Sequence, residues 1–552
     1  MSLELFHKSS DEINELIESH LQINPNSKVS RGEVFTPITI INEMLDLVPK
    51  SLWNDPHSKW LDPGAGIGNF SMLVFQRLDQ SLKSWESNSE KRKKHIVKNM
   101  IFMVETDQTN VNIARKVFGK HANISRTDYL EHESWKTDFN LKQNTQFDII
   151  LGNPPYNCNG MRGKGRSNPG LSVLWNKFVE ESFLHVKPSG YILFFTPNSW
   201  TEFKSPLSRR MMKLQLLYYK NFDVVSSYKL FEKKAGSLPI CYYLFENKEP
   251  YKESQVYDQY RKQYVSFDIC KYAMIPNQHI TLIRKMLEKN RHDNLSESFY
   301  FTPPKTKSDT INFGPSYSSD YQYPLVNYVH KKIVVSFGKN YTRIQNGRPK
   351  LLLPNYSMGY PILDADGIMD VGGRFSYSIM VENNSIASLK RIQTFFMTDL
   401  AFTVINALKT AQKFLSTRTF DIFPDVTNTS IPVRDDELVK YYGFTKQDCD
   451  AITEQVSSGE GNVTPEKKKE LREFDLRDYI TYNQYETIHK RLQKAHKDEP
   501  HTFAFTRKPR LHKIGMKLCG DAETEEDHTD QPTLPSKGRK KKNGTRKKKH
   551  ST

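Results

Sequence analysis

The sequence predicts an α/β protein: a mostly parallel sheet with helices on both faces, then a smaller mixed α/β region and a disordered basic tail. Three observations predict it. From about residue 31 to 250, apolar runs of strand length alternate with amphipathic runs of helical period, the pattern of strands paired in parallel through helical crossovers. One apolar run leads directly into the glycine turn Asp62-Pro63-Gly64-Ala65-Gly66-Ile67-Gly68. Another leads directly into Asn153-Pro154-Pro155-Tyr156. Open α/β sheets bind their ligands at such strand-to-loop ends.

Residues 1–30 read as a helix, from Asp11 to about Leu21, and a polar connector. Within 31–250 the expected strands are Trp60–Leu61, Ile101–Glu105, Phe147–Leu151, Tyr191–Thr196, Asn221–Ser226 and Ile240–Phe245. The expected helices are Ile38–Leu47, Phe70–Arg77, Asn110–Val117, Val173–Leu184 and Leu207–Leu217. The charged stretch Ser81–Asn99 reads as an insertion between the first two units. Residues 251–430 are richer in Tyr, Pro, Gly and Asn, with strand signals at Lys332–Ser336, Lys350–Leu353 and Phe375–Met380 and a helix over about Ser388–Leu408. Residues 431–520 read as charged helices, one starting at Thr464-Pro465 with threonine as N-cap and proline in the first turn. Residues 521–552, acidic and then basic, hold too little apolar surface to order.

Composition excludes two classes. The 552 residues are 37% hydrophobic with mean hydropathy −0.65, and the longest apolar run, Ile240–Phe245, falls far short of the roughly 20 residues of a membrane helix. Aromatics at 12% speak against a wholly disordered chain. Five scattered cysteines without a C-x-x-C pair fit neither a disulfide framework nor a zinc site, so no metal is expected. Net charge is +17, and residues 521–552 carry +3 of it, so the basic excess belongs to the body. A body this positive favours an anionic partner, nucleic acid being the usual one, against a merely solvated basic surface.

The glycine turn lets the backbone approach a ligand closely. Its spacing is neither that of a dinucleotide fingerprint nor that of a P-loop. Asp62 would accept from an ammonium, which argues for an amino-acid-like cofactor tail; a purely structural turn is the competing reading. Glu105 closes a second apolar strand, where a carboxylate can accept both ribose hydroxyls or merely cap a helix. Asp128, beside Tyr129, can accept from an adenine amino group or serve as a turn aspartate. In Asn153-Pro154-Pro155-Tyr156 the two prolines bias each preceding residue to extended geometry. The Asn153 amide oxygen and the Pro154 carbonyl can then accept from one planar amino group, on which Tyr156 stacks.

The order Arg31-Gly32-Glu33-Val34-Phe35-Thr36-Pro37, Asp62–Phe70, Glu105, Asp128 and Asn153–Tyr156 resembles the gamma-class amino-methyltransferases of restriction–modification systems, which methylate adenine N6 in DNA with S-adenosylmethionine. The resemblance covers about residues 31–250 and implies a Rossmann-like methyltransferase fold. It implies that Phe35, Thr36, Asp62, Gly64 and Gly66 hold the cofactor's methionine end, that Glu105 holds the ribose and that Asp128 and Tyr129 border its adenine. Asn153, Pro154, Pro155 and Tyr156 would be the catalytic segment. Val225–Lys234 is a later match, in which Phe231 would stack on a flipped-out target base; Tyr228 is its rival, and a core phenylalanine the competing reading. An adenine inside a duplex is out of reach, so the base must be extruded.

The resemblance makes residues 251–430 a target-recognition region. Arg343, Gln345, Asn346, Arg348 and Lys350 form a candidate base-reading cluster, with a solvated basic loop as the alternative. The basic runs at 537–542 and 546–549 read as a nuclear localisation signal, a DNA tether or a solvated tail. Pro424-Asp425 and Glu466-Lys467-Lys468 spell a nuclease motif by chance, because Glu466 opens a charged helix. About 30 residues precede Arg31, too few for a nuclease domain in front, so a standalone enzyme is expected. The expected partner is double-stranded DNA, with a separate cognate endonuclease acting on the same site as a further partner; a monomer and no membrane association are expected. The location follows as intracellular: cytoplasmic, at the nucleoid, in a bacterium, or nuclear through the tail in a eukaryotic or viral setting. A methyltransferase of another planar amino group, such as protein glutamine or an rRNA base, a combined endonuclease and methyltransferase, and an idle DNA-binding scaffold are the alternatives.

Overall fold

The structure is a computed structural model. It describes residues 36–131, 134–156, 174–203, 205–222, 239–290, 313–329, 332–342, 345, 347–354, 361–371, 376–379, 385–408, 421–458 and 465–495, with the isolated positions 12 and 15. The helix expected near Asp11–Leu21, the start at Thr464 and the tail lie outside the described residues.

From residue 36 the described chain runs through helices α1 (Ile38–Leu45) and α2 (Lys50–Asn54) to strand β1 (Trp60–Asp62). Helices α3 (Asn69–Ser81) and α4 (Ser89–His95) precede β2 (Ile101–Val104), and α5 (Gln108–Phe118) leads to β3 (Asn123–Ser125). Helix α6 (Ser134–Asp138), β4 (Phe147–Gly152), α7 (Leu174–His185), β5 (Val186–Pro197) and α8 (Pro206–Met211) follow. Four more strands, β6 (Gln215–Phe222), β7 (Ile240–Glu246), β8 (Ser254–Asp258) and β9 (Gln263–Phe267), complete a nine-stranded sheet in the order β3-β2-β1-β4-β5-β7-β6-β8-β9.

Strands β3, β2, β1, β4 and β5 are parallel, while β7 runs antiparallel between β5 and β6. The chain winds outward from β1 to β3, then restarts on the other side of β1 with β4. That reversal opens a crevice at the carboxyl ends of β1 and β4, where open α/β sheets take their ligands. The sheet is covered on both faces, and each buried strand feeds two cores with alternate residues. Leu61, Ile150, Ile192, Phe194, Tyr243 and Phe245 enter one core, and Trp60, Ile149, Leu193, Phe195, Tyr242 and Leu244 the other.

The structure departs from expectation in five places. The helix over Leu207–Leu217 stops at Met211, and the strand expected at Asn221–Ser226 begins at Gln215. Pairing with β7 on one side and β8 on the other outweighs the local helical period. The stretch Ser81–Asn99 is an integral layer: Arg92 is buried with its Nε on Asp79 Oδ1 at 2.7 Å, and Ile96, Val97 and Met100 enter the core. The sheet continues past Pro250 through β8 and β9. The single helix over Ser388–Leu408 is two, because the Thr398 side chain caps a new start at Ala401 N, 3.1 Å away.

Beyond the sheet come α9 (Ile269–Tyr272) and α10 (Ile280–Lys289), then short strands: β10 (Phe313–Gly314), β11 (Tyr323–Val329) and β12 (Lys332–Gly338), followed by β13 (Lys350–Pro354), β14 (Ile362–Asp364), β15 (Asp370–Val371) and β16 (Ser376–Ile379). They form sheets of four and three strands with a core of their own. Helices α11 (Ile386–Phe396), α12 (Asp399–Ala407) and α13 (Asp435–Tyr442) return to pack with α10 against the first core of the large sheet. The charged segment ends in α14 (Lys446–Ser458), α15 (Pro465–Arg472) and α16 (Tyr482–Ala495).

Candidate active site

Asp62 is the last residue of β1, and its carboxylate is buried at 3% exposure. Oδ2 accepts from Ser71 Oγ at 3.2 Å, while Oδ1 has no hydrogen-bond partner among the described residues. Burial pushes its pKa up to about 7, opposed by the Ser71 hydroxyl and the Gly64 amide and assisted by the nearby Glu105 charge. A buried carboxylate oxygen without a donor is costly to the fold, so its position is a functional signal.

The glycines make room for it. Gly152, the last residue of β4, has φ +149°, and a Cβ there would fall 2.8 Å from Asp62 Oδ1. At the turn, Ala65 N donates to Val104 O at 3.1 Å, and Gly66 N donates to Glu105 Oε2 at 2.8 Å. These two bonds tie the turn to the end of β2. Glu105 Oε1 accepts from Asp107 N at 2.7 Å, and burial raises its pKa despite these donors. Oε1 also accepts from the Thr106 hydroxyl at 3.4 Å, a long bond that a ribose hydroxyl could replace. A Cβ at Gly64 would touch Pro155 Cδ at 3.5 Å and Pro154 Cα at 3.9 Å, so the turn lies against the proline pair after β4.

Asn153 follows β4 and donates from Nδ2 to Thr36 Oγ1 at 3.1 Å; Thr36 is buried just ahead of α1. Tyr156 packs against both cores. Its hydroxyl is buried without a hydrogen-bond partner among the described residues, and burial, with Cys241 and Tyr243 nearby, holds its pKa well above the usual tyrosine value. The Cys241 thiol, which accepts from Trp200 Nε1 at 3.4 Å, is itself pushed up to about 12 by burial.

Thus Thr36, Asp62, Gly64, Gly66, Glu105, Asn153, Pro154, Pro155 and Tyr156 gather at the strand ends. Other expectations need correction. Tyr129 is a core residue at 1% exposure, its hydroxyl 3.1 Å from Ser182 Oγ and its ring against Trp135 and Phe178, so it does not border a cofactor. Asp128 is half-buried and accepts from Leu130 N with Oδ1 at 2.9 Å, a turn contact compatible with its expected place beside an adenine. Gln345 is buried with Nε2 on the carbonyls of Pro324 and Ile368, both at 3.0 Å. Lys350 is buried in an ion pair with Asp364 at 2.6 Å. Neither can reach a base edge, and both instead hold the smaller sheets together. Arg348 is half-buried; Phe35, Tyr228, Phe231, Arg343 and Asn346 lie outside the described residues.

Sequence reading missed Ser71 and Gly152. A small polar residue on the buried face of an apolar helix and a glycine immediately before Asn153 were the available signals. Among the described residues no group of His, Cys, Asp and Glu is placed to hold a metal ion, and no helix is long and apolar enough to cross a membrane. Asp425 accepts from Thr427, and Lys468 pairs with Asp399 at 2.9 Å, so the two halves of the nuclease-like spelling serve separate local contacts.

The site fits S-adenosylmethionine: the donorless Asp62 oxygen suits an ammonium, and Glu105 stands one strand away for a ribose. The model of the Eco57I restriction-modification methylase family matches residues 58–231. An "Uncharacterized adenine-specific methylase" of Mycoplasma pneumoniae is 23% identical over 294 residues, which are 40% of this chain and 68% of that protein. Among solved structures, a type I restriction-modification methyltransferase subunit from Streptococcus thermophilus is 15% identical with TM-score 0.30, covering 50% of this chain and 57% of that one. A nuclease-deletion mutant of the Type ISP enzyme LlaGI with a DNA substrate mimic is 11% identical with TM-score 0.47, covering 74% and 55%. The chain spans little more than half the length of these two structural relatives. The stretch that this family model matches, residues 58–231, carries Asp62, Glu105 and Asn153–Tyr156.

Proposed function

We propose that this chain is a site-specific DNA methyltransferase that moves a methyl group from S-adenosylmethionine to the N6 amino group of an extruded adenine. The observation that carries the reading is the placement of Asn153-Pro154-Pro155-Tyr156 at the end of β4, against the glycine turn of a strand that ends in the donorless Asp62. Adenine as acceptor is supported by the description of the Mycoplasma relative, and DNA as partner by the +17 charge and by the relatives' place in restriction–modification systems. A separate endonuclease reading the same site is the counterpart such a system supplies.

Bound S-adenosylmethionine supplies a sulfonium methyl group; the amine lone pair forms the new N–C bond and the S–C electron pair stays on sulfur. Asp62 would hold the ammonium of the methionine end, and Glu105 the ribose hydroxyls. Asn153 Oδ1 and the Pro154 carbonyl would accept the two N–H groups of the target amine. Those bonds favour a tetrahedral nitrogen, whose lone pair is no longer delocalised into the ring, and so stabilise the transition state more than the ground state. Tyr156 would stack on the extruded base. The methylated amine is cationic and acidic, so water suffices to take its proton and no side-chain base is required.

Long-read sequencing of plasmid DNA from cells expressing the chain tests this, beside an Asn153→Ala control. Modified adenines in one short sequence context, lost in the control through a drop in turnover of about 10²–10³-fold, are expected. Unmodified DNA from a folded, cofactor-binding chain would overturn the DNA reading in favour of RNA or protein glutamine as acceptor.

A further inference from the structure

We infer that Thr36 is a positioning residue that holds the Asn153 amide with its acceptor end toward the target amine. This rests on the methyl-transfer reading and deepens it. An amide presents two donors at one end and two acceptors at the other, and only the acceptor end can take an N–H from the substrate. Asn153 Nδ2 donates to Thr36 Oγ1 at 3.1 Å. That bond anchors the amide by its donor end and turns Oδ1 the other way. With the amide reversed, N–H would face N–H, and the selective stabilisation of a tetrahedral nitrogen would vanish.

Thr36 is built to hold still. It precedes Pro37, which restricts its backbone to extended geometry, and its branched Cβ leaves few rotamers. It is 3% exposed. The helix that follows is fastened on two sides. Arg77 of α3 donates Nη2 to Asn42 O and Oδ1, both at 3.0 Å, and Nη1 to Asp46 Oδ1 at 2.7 Å. From the other side, Lys220 of β6 pairs with Glu43. Ile41, Met44 and Leu45 are fully buried beneath it. None of these residues has chemistry of its own, yet together they deliver one hydroxyl to the amide.

The test compares Thr36→Val, which keeps shape but accepts no hydrogen bond, with Thr36→Ser, which keeps the hydroxyl. It reads single-turnover methyl transfer at saturating cofactor and duplex, and cofactor Kd by calorimetry. Thr36→Val should slow transfer about 10–100-fold with Kd within about threefold, and Thr36→Ser should recover most of the loss. In an Asn153→Ala background Thr36→Val should slow transfer no further, because its effect runs through that amide. A valine variant that binds cofactor tenfold more weakly yet transfers at the normal rate when saturated would overturn the inference. So would serine failing equally, additive losses in the double variant, or a crystal structure of the valine variant with the amide unmoved. Failure of the function reading shows instead in the unmodified chain, as no methyl on adenine. A different planar amine as acceptor leaves the comparison intact, since the geometry concerns Asn153 alone.

Discussion

Asp62 is buried, with one oxygen lacking a hydrogen-bond partner among the described residues, and burial lifts its pKa from 3.8 to about 7. Between those values the folded chain holds a proton that the unfolded chain releases. Folded stability therefore declines as pH rises from about 4 to about 7, and the deficit persists above. Asp62→Asn should raise the melting temperature at pH 8 by several degrees while weakening cofactor binding at least tenfold, the trade expected where a site is strained for function. The pH dependence of binding runs the opposite way, because the ionised carboxylate is the form that pairs with an ammonium. Affinity of the unmodified chain for S-adenosylmethionine should fall roughly tenfold per unit below pH 7. Thermal melts and calorimetry between pH 5.5 and 8.5 check both slopes; flat affinity across that range would contradict the assignment of Asp62 to the ammonium.

Strands β13 and β14 show how a residue's surroundings decide its role. Lys350 donates to Asp364, which also accepts from Ile368 N at 3.1 Å and Met369 N at 2.8 Å, all of it buried. Lys350→Met strands the Asp364 charge and should cost about 3–5 kcal/mol, read as a lowered melting temperature, with the methylated sequence unchanged in a long-read profile. A changed recognition sequence would return Lys350 to the base-reading role its sequence neighbourhood suggested. In sequence it stands two residues from Arg348 and looks like one member of a basic loop; its partner is 14 residues away, and that pairing exists only after the sheet forms. The same logic explains what was legible. Trp60–Asp62 and Phe147–Gly152 were plain because fully buried parallel strands are written as continuous apolar runs, and the glycine turn and Asn-Pro-Pro-Tyr follow them without a gap. Gln215–Phe222 was not, because its identity as a strand comes from β7 and β8, which follow it in the chain. Tyr129 was misread for a similar reason: a tyrosine beside a pocket aspartate and a tyrosine packed on Trp135 are the same letter.

For the whole molecule, the proposed binding of DNA carries a salt dependence set by the +17 charge. Duplex affinity should fall linearly with log salt, by about 0.9 per phosphate contact released. Residues 537–552 hold nine basic residues and no acidic one, yet +14 lies ahead of residue 521. A chain truncated before 537 should show a shallower slope that stays well away from zero, with single-turnover transfer at saturating DNA retained. Fluorescence anisotropy from 50 to 300 mM salt decides it, and complete loss of binding would place the DNA-contacting charge in the tail. The large sheet also gives the molecule a chemical clock. Cys241 sits in β7 between β5 and β6, fully buried, with its thiol pushed up to about 12, so almost none of it is the thiolate that alkylating reagents attack. For iodoacetamide to mark it, the strand must part from both neighbours. The rate of that marking times the parting of the central strands of the sheet whose carboxyl ends carry Asp62 and lead into Asn153.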